Sequence, residues 1–269
     1  MPRAARRRKG RTNAPARVGL AQLPWGQPRY LDAPIEPLDA EGIDKIHNAA
    51  MRILEEIGID FLHDDAREIL ARAGCDVKKD SVTVRMDRAL VMEQVAKAPK
   101  RIVMTPRNPD RALVFGETYA AFGLVSSPPN VSDLDHGRRV GNRADYQNLL
   151  KLAQSFECIH FTGGYPVEPV DLHPSIRHLD CLFDLLTLTD KLVHAYSLGV
   201  ERVEDAMAMV RIAAGLDQEA FEQVPRMFTN INSSSPLKHD WPMLDGAMRL
   251  ARHNQLVIIT PFTLAGAMA

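Results

Sequence analysis

The sequence has 269 residues, of which 45% are hydrophobic and 25% charged, with a formal net charge of −1. That length holds one large domain or two smaller ones around a substantial core, and no apolar run is long enough to span a bilayer or to act as a secretion signal. Both absences argue for the cytoplasm, and three widely spaced cysteines (Cys75, Cys158, Cys181) argue for reduced thiols rather than a disulfide framework. The charge is unevenly spread. Seven of the 33 Lys/Arg fall within residues 1–17, leaving 26 basic against 34 acidic residues in the rest, a balance unlike that of a nucleic-acid binder.

Residues 1–30 are rich in Arg, Ala, Pro and Gly without hydrophobic periodicity, which predicts a basic, disordered or loosely draped tail. The run Arg6-Arg7-Arg8-Lys9-Gly10-Arg11 reads as a solvated tail or as a contact for nucleic acid or an acidic partner. Asp39 is the expected N-cap of the first helix, with Ile43, Ile46, Ala50, Ile53, Leu54 and Ile57 as its buried stripe and Gly58 as its stop. A second helix is expected from Asp65 to Ala73 and a third from Asp87 to Ala98. Short strands are expected around Val82–Val84, Ile102–Thr105 and Ala112–Phe115. Residues 31–118 thus read as a small α+β region.

From Thr118 the pattern changes. Tyr119–Val125 is strand-like, Ser127-Pro128-Pro129 breaks it, and Asp133–Arg139 reads as a hairpin turn rather than a metal loop, because no distant ligand accompanies it. Asn142 caps a helix from Asp145 to Phe156 with Tyr146, Leu149, Leu150, Ala153 and Phe156 inward. Then strand and helix alternate. Ile159–Thr162 is followed by a helix with Pro174 in its first turn, Lys191–Tyr196 by one striped with Val203, Ala206, Met207 and Val210, and Arg226–Ile231 by one that Asp240 caps; Leu256–Thr260 is the next strand. Corresponding residues Phe161, Val193, Phe228 and Ile258 lie 32, 35 and 30 apart. Such a repeat makes right-handed crossovers between parallel strands. It suggests either a doubly wound sheet or a (β/α)8 barrel, and no Gly-x-Gly-x-x-Gly supports the former. Residues 119–269 therefore read as a partial TIM-type barrel of about five strands behind a small N-terminal α+β region. Eight strands close such a barrel, so the chain reads as truncated or as completed by another chain.

Several stretches match one family. Ala50–Ile59, Asp133–Arg139, Gly163-Gly164 with Glu168–Leu172, Arg177–Asp180, Ser234–Leu237 and Pro261–Ala267 together resemble the trimethylamine methyltransferase (MttB-like) superfamily, the corrinoid-dependent methyltransferases and their pyrrolysine-free relatives. The resemblance implies a (β/α)8 barrel behind a helical N-terminal region. It also implies transfer of a methyl group from a methylated amine to Co(I) of a corrinoid carried by a separate protein. Members are usually much longer than this chain, so a pyrrolysine position would lie beyond Ala269, and the chain reads as the N-terminal part of a homo-oligomeric enzyme. Pyrrolysine-free relatives are suspected of acting on quaternary amines such as betaines. The alternatives are a non-catalytic barrel fragment serving as an interaction module and an unrelated barrel enzyme, in which the Ser-Ser-Ser-Pro loop and Gly-Gly turn cradle a phosphate.

Displacement of a neutral tertiary amine needs no proton, and no Gly-x-Ser-x-Gly is present. A methylated cation is best met by aromatic faces, each worth about 0.5–2 kcal/mol, with a carboxylate nearby. Residues just after the strands' C-terminal ends are the candidates: Tyr165, Glu168, Tyr196, Asn230, Asn232 and Phe262. Bland alternatives exist, since Tyr165 can cover the barrel rim, Glu168 can pair with an Arg and Tyr196 can be a core aromatic. The nine histidines show no tight ligand spacing, which predicts no metal bound by the chain itself.

Overall fold

The computed structural model describes residues 20–234 and 236–261. The Arg6–Arg11 run and Phe262 lie outside them. In chain order the elements are α1 (Ala40–Arg52), β1 (Ile59–Phe61), α2 (Asp64–Arg72), β2 (Asp76–Val77), β3 (Thr83–Arg85), α3 (Arg88–Ala96), β4 (Arg101–Met104) and β5 (Leu113–Gly116). Then come β6 (Gly123–Leu124), β7 (Asn130–Asp133), β8 (Gly137–Val140), α4 (Arg143–Ser155), β9 (Phe161–Thr162), α5 (Arg177–Leu188) and β10 (Val193–His194). The last are α6 (Val200–Ala214), α7 (Gln218–Gln223), β11 (Met227–Asn232), β12 (Lys238–His239), α8 (Trp241–Arg252) and β13 (Leu256–Thr260). The architecture is mixed α/β, and among the described residues no sheet closes into a barrel.

Helix starts follow the expected capping chemistry. Asp39 accepts from Gly42 N and Asp87 from Ala89 N. Asn142 and Asp145 form a reciprocal capping box at α4, and Asp240 accepts from Met243 N at α8. The stop of α1 also follows the residue expected. A single wide turn, Ile53–Ile57, ends at Gly58, whose φ of 88° and close approach to the Val84 carbonyl exclude a side chain. The stripe of α1 is a correction: Ile43 and Ile46 are 52% and 60% exposed, and Met51 is the helix's buried residue. Periodicity makes a helix amphipathic but does not say what covers its apolar face.

Five of the strands after residue 119 run parallel in chain order, while β7 and β8 form a separate antiparallel hairpin. β6 pairs with β9, Phe161 bridges Leu192, β10 pairs with β11, and β11 pairs with β13 through five residue pairs from Phe228↔Leu256 to Asn232↔Thr260. The ribbon is continuous but thin at its start, because β6, β9 and β10 are only two residues each. Side chains alternate across it. Val193 and Met227 face the helices, joining Tyr146 and Leu150 of α4, Cys181 and Leu185 of α5, and Val203 and Val210 of α6 in one core. Burying each of the larger aliphatic side chains contributes about 1.5–3 kcal/mol, so Val203→Asp in α6 would remove that gain and strand a charge. The opposite face presents Leu192, Phe228 and Leu256 to Met104, Leu113 and Phe115 of the β4–β5 hairpin. Thr105 N donates to Pro225 O just before β11, which places the hairpin against the N-terminal ends of the parallel strands.

Of the expected tail, residues 22–30 are anchored to the body. Gln27 exchanges hydrogen bonds with the Val114 backbone, and Trp25 stacks under the Arg111 guanidinium at 4.4 Å. The loop after β11 carries an unexpected strand. β12 pairs in parallel with β1, so the four-stranded sheet β12-β1-β3-β2 joins the N-terminal region to the parallel ribbon. The Asp133–Arg139 stretch is the expected hairpin: Asp133 accepts from the backbone of Asp135 and His136, and Arg139 links Asp133 to Asp145.

Candidate functional site

Along the face turned away from the helices, each parallel strand grows more polar toward its C-terminal end. β11 runs Phe228, Asn230, Asn232 on that face; β13 runs Leu256, Ile258, Thr260; β10 and its extension run His194, Tyr196. The hydrophobic end is sealed by the hairpin, and the polar end opens into a cavity of about 450 Å³. Phe161, His194, Tyr196, Phe228, Asn230 and Asn232 are among the residues that line it. Asn230 donates to Asn232 Oδ1 at 3.2 Å and accepts from Thr260 Oγ1, which fixes the orientation of its amide.

Tyr196 is the best-held side chain in the site. Its hydroxyl accepts from the Tyr165 backbone N–H at 3.1 Å and bonds Ser126 Oγ at 3.1 Å and Ser127 Oγ. Ser127 itself sits at a φ of 49°, secured by its N–H donating to Tyr165 O at 2.7 Å. Gly164 makes room for this cluster: at its φ of 151° an added methyl would overlap both Ser126 Oγ and the Tyr196 hydroxyl. The ring of Tyr196 meets Tyr165 edge-on at 4.8 Å and His194 at 5.1 Å, and His194 continues to Phe228 at 5.0 Å. Pairs of this geometry add about 0.5–1.5 kcal/mol beyond area burial, so the wall is rigid.

Tyr165 and Glu168 stand in an adjoining cleft, with Tyr196 as the shared wall. Burial pushes the Tyr165 phenol well above its usual range. Glu168 is ion-paired with Arg177, the bland alternative weighed for it, and so offers no free charge to a cation. The structure thus brings Tyr196, Asn230 and Asn232 into one cavity, sets Tyr165 and Glu168 beside it, and does not describe Phe262. Among the described residues no carboxylate lines the main cavity. Among the described residues no group of three His, Cys, Asp or Glu is placed to hold a metal ion, and no helix is long and apolar enough to cross a membrane.

Among the lining residues that escaped the sequence reading are His194 and Phe228. Both lie two residues before a chosen one, Tyr196 and Asn230, so the period of two within a strand was the signal available. His194 is 6% exposed, neither ring nitrogen has a partner among the described residues, and burial lowers its pKa to about 4. It is therefore an uncharged imidazole at neutral pH. Cys181, by contrast, is inert core: burial pushes its thiol up to about 12.

Residues 3–269 match the family model described as trimethylamine methyltransferase (MTTB). A glycine betaine methyltransferase from Desulfitobacterium hafniense (strain Y51) is 34% identical over 230 residues, covering 86% of this chain and 47% of that protein. The trimethylamine methyltransferase MttB of Desulfitobacterium hafniense (strain DSM 10664 / DCB-2) is 25% identical over 203 residues, covering 74% of this chain and 40% of that protein. The chain thus spans less than half the length of either relative.

Proposed function

Because the chain belongs to the trimethylamine methyltransferase family, we propose that its cavity binds a methylated amine, a quaternary one best, whose methyl group passes to a corrinoid held by a separate protein. The parallel ribbon from β6 to β13 is then the first part of a (β/α)8 wall. The remaining strands would come from a polypeptide of the relatives' length.

The observation that carries the reading is the aromatic cavity at the strands' C-terminal ends, with Tyr196 clamped at its centre. A quaternary ammonium has no N–H to donate and spreads its charge over methyl groups. It is recognised by aromatic faces and amide oxygens rather than by one carboxylate. Tyr196 and Phe228 supply the faces, and Asn230 and Asn232 supply fixed amide dipoles. His194, uncharged, adds no repulsion.

The chemistry asked of these residues is positional. The methyl carbon–nitrogen bond breaks with its electron pair going to nitrogen, while a bond to the acceptor forms from the acceptor's own pair. The departing tertiary amine is neutral and needs no general acid. The corrinoid, when bound, supplies the nucleophile. The chain's residues hold the cation, exclude water and aim one methyl group outward. The cavity fits that division of labour, since it opens at the strand ends and the imidazole on its wall, His194, is buried and uncharged.

The test is a ligand titration of the chain with glycine betaine, trimethylamine and tetramethylammonium, followed by chemical-shift changes. Tyr196→Ala should weaken the bound cation about 2- to 30-fold, the loss of one aromatic face. Affinity unchanged by Tyr196→Ala would remove the cavity as the binding site.

A further inference from the structure

Residues 39–98, the unit built around α1, α2 and α3, are joined to the rest of the protein at one place. Among the described residues neither hydrophobic core draws on them. Among the same residues, every hydrogen bond, ion pair and ring contact from the unit to the rest runs between residues 60–63 and residues 237–245. The Asp60 N–H donates to Leu237 O at 2.9 Å and the Leu62 N–H to His239 O at 3.0 Å. The Phe61 ring meets His239 at 5.4 Å, and His63 stacks on Trp241 at 4.9 Å.

This joint is poorly satisfied. His63 Nδ1 and Nε2, His239 Nδ1 and Asp245 Oδ2 are shielded from water and have no hydrogen-bond partner among the described residues. Each such group is destabilising, so the joint opens at lower cost than the cores do. Leu237 adds strain. Its φ of 46° lies in the left-handed region, which a leucine enters at a cost, and its carbonyl is the one that receives the Asp60 N–H.

The loop that carries Leu237 is also the rim of the main cavity. It leaves β11 at Asn232, folds back where the Ser234 N–H donates to Lys238 O at 2.6 Å, and enters α8 at its cap, Asp240. Shortly after that cap Met243 lines the cavity, and its sulfur receives the Asn232 N–H at 3.4 Å. Separation of β1 from β12 therefore frees Leu237 and slackens the segment that holds Asn232 and Met243.

We propose that residues 39–98 are a hinged cap on the cavity. Docking of β1 on β12 holds the loop after β11 in the strained form that shapes the mouth, and release lets Leu237 relax and the mouth widen. A ligand that needs the shaped mouth closes the cap; that part rests on the reading of the cavity as a methylated-amine site.

The experiment is amide hydrogen exchange on the full 269-residue chain, comparing wild type, Trp241→Ala and Leu237→Gly. The side-chain amide resonances of Asn230 and Asn232 report from the cavity. In wild type the Asp60 and Leu62 amides should exchange together, about tenfold or more faster than those of β11. Trp241 is half-exposed, and Trp241→Ala removes only the ring that His63 stacks on. It should speed exchange at Asp60 and Leu62 about 2- to 10-fold, leave β11 unchanged, and shift the Asn230 and Asn232 signals. Leu237→Gly, free to take the left-handed conformation, should slow exchange at Asp60 and Leu62 about 3-fold or more. Saturating glycine betaine should slow it too, since coupling between sites is reciprocal. Exchange at Asp60 and Leu62 no faster than in β11 would overturn the hinge, and Leu237→Gly exchanging like wild type would overturn the strained latch. Faster exchange in Trp241→Ala with Asn230 and Asn232 unmoved would overturn the link to the cavity. If glycine betaine shifts Asn230 and Asn232 but leaves Asp60 and Leu62 exchange as it was, the ligand does not close the cap. If glycine betaine does not bind at all, the cavity reading fails, while the exchange rates and the Asn230 and Asn232 shifts in Trp241→Ala still decide the cap.

Discussion

Replacing Gly164 with alanine puts the clamp on Tyr196 to a quantitative test. The added methyl would overlap Ser126 Oγ and the Tyr196 hydroxyl, and the backbone there sits at a φ of 151° that side chains rarely adopt. Overpacking of this kind costs about 1–3 kcal/mol. Displacing the hydroxyl also loses bonds to Ser126, Ser127 and the Tyr165 N–H, at about 1 kcal/mol for each that does not re-form. The expected destabilisation is about 2–4 kcal/mol, or roughly 5–12 °C in Tm for a chain of this size. Gly199→Ala is the control. Its φ of 101° is also positive, but nothing lies within 4 Å of the added carbon, so only the backbone term of about 1 kcal/mol applies. Thermal denaturation of both variants alongside wild type reads the difference, and a shift of the Tyr196 resonances confirms its origin. Equal melting temperatures for the two variants would refute the claim that Gly164 exists to seat Tyr196.

Two further outcomes are expected. Burial lowers the His194 pKa to about 4 from an ordinary value near 6.5, so the unfolded chain binds more protons in that window and stability falls as pH drops through it, by up to about 3 kcal/mol. Urea midpoints at pH 7 and pH 4.5 should therefore fall further for wild type than for His194→Phe, and parallel falls would contradict the burial. At α4, Asn142→Ala removes the half of the capping box in which the Asn142 side chain accepts from the Asp145 N–H and should cost about 1 kcal/mol in chemical denaturation; no measurable loss would mean water replaces the cap.

The repeating β/α grammar after residue 119 was legible because each strand is a short apolar run followed by a capped, striped helix. Asp240, Asn142 and the Val203–Val210 stripe stand where their residue types put them. Tyr196, Asn230 and Asn232 could be chosen because residues at the C-terminal ends of the strands face the mouth. What stayed hidden depends on long-range packing. Nothing local in Lys238-His239 announces pairing with Asp60-Phe61, and nothing in Gln22–Gln27 announces a dock on Val114 and Arg111. The exposed face of α1 shows the converse, a strong helical period with little buried beneath it. His194 was missed because a histidine inside an apolar strand reads as a core residue; only the absence of partners for its nitrogens sets it apart.

The central claim is that the Tyr196 cavity presents a methylated amine for methyl transfer. The direct measurement is anaerobic corrinoid absorbance, with a reduced corrinoid protein as acceptor and a polypeptide of the relatives' length carrying these residues. A panel of methylated amines including glycine betaine and trimethylamine serves as donors. At least one amine should methylate the acceptor, and Tyr196→Ala should slow that transfer at limiting donor by the same 2- to 30-fold as it weakens binding. No transfer from any amine in the panel, or transfer indifferent to Tyr196→Ala, would contradict it.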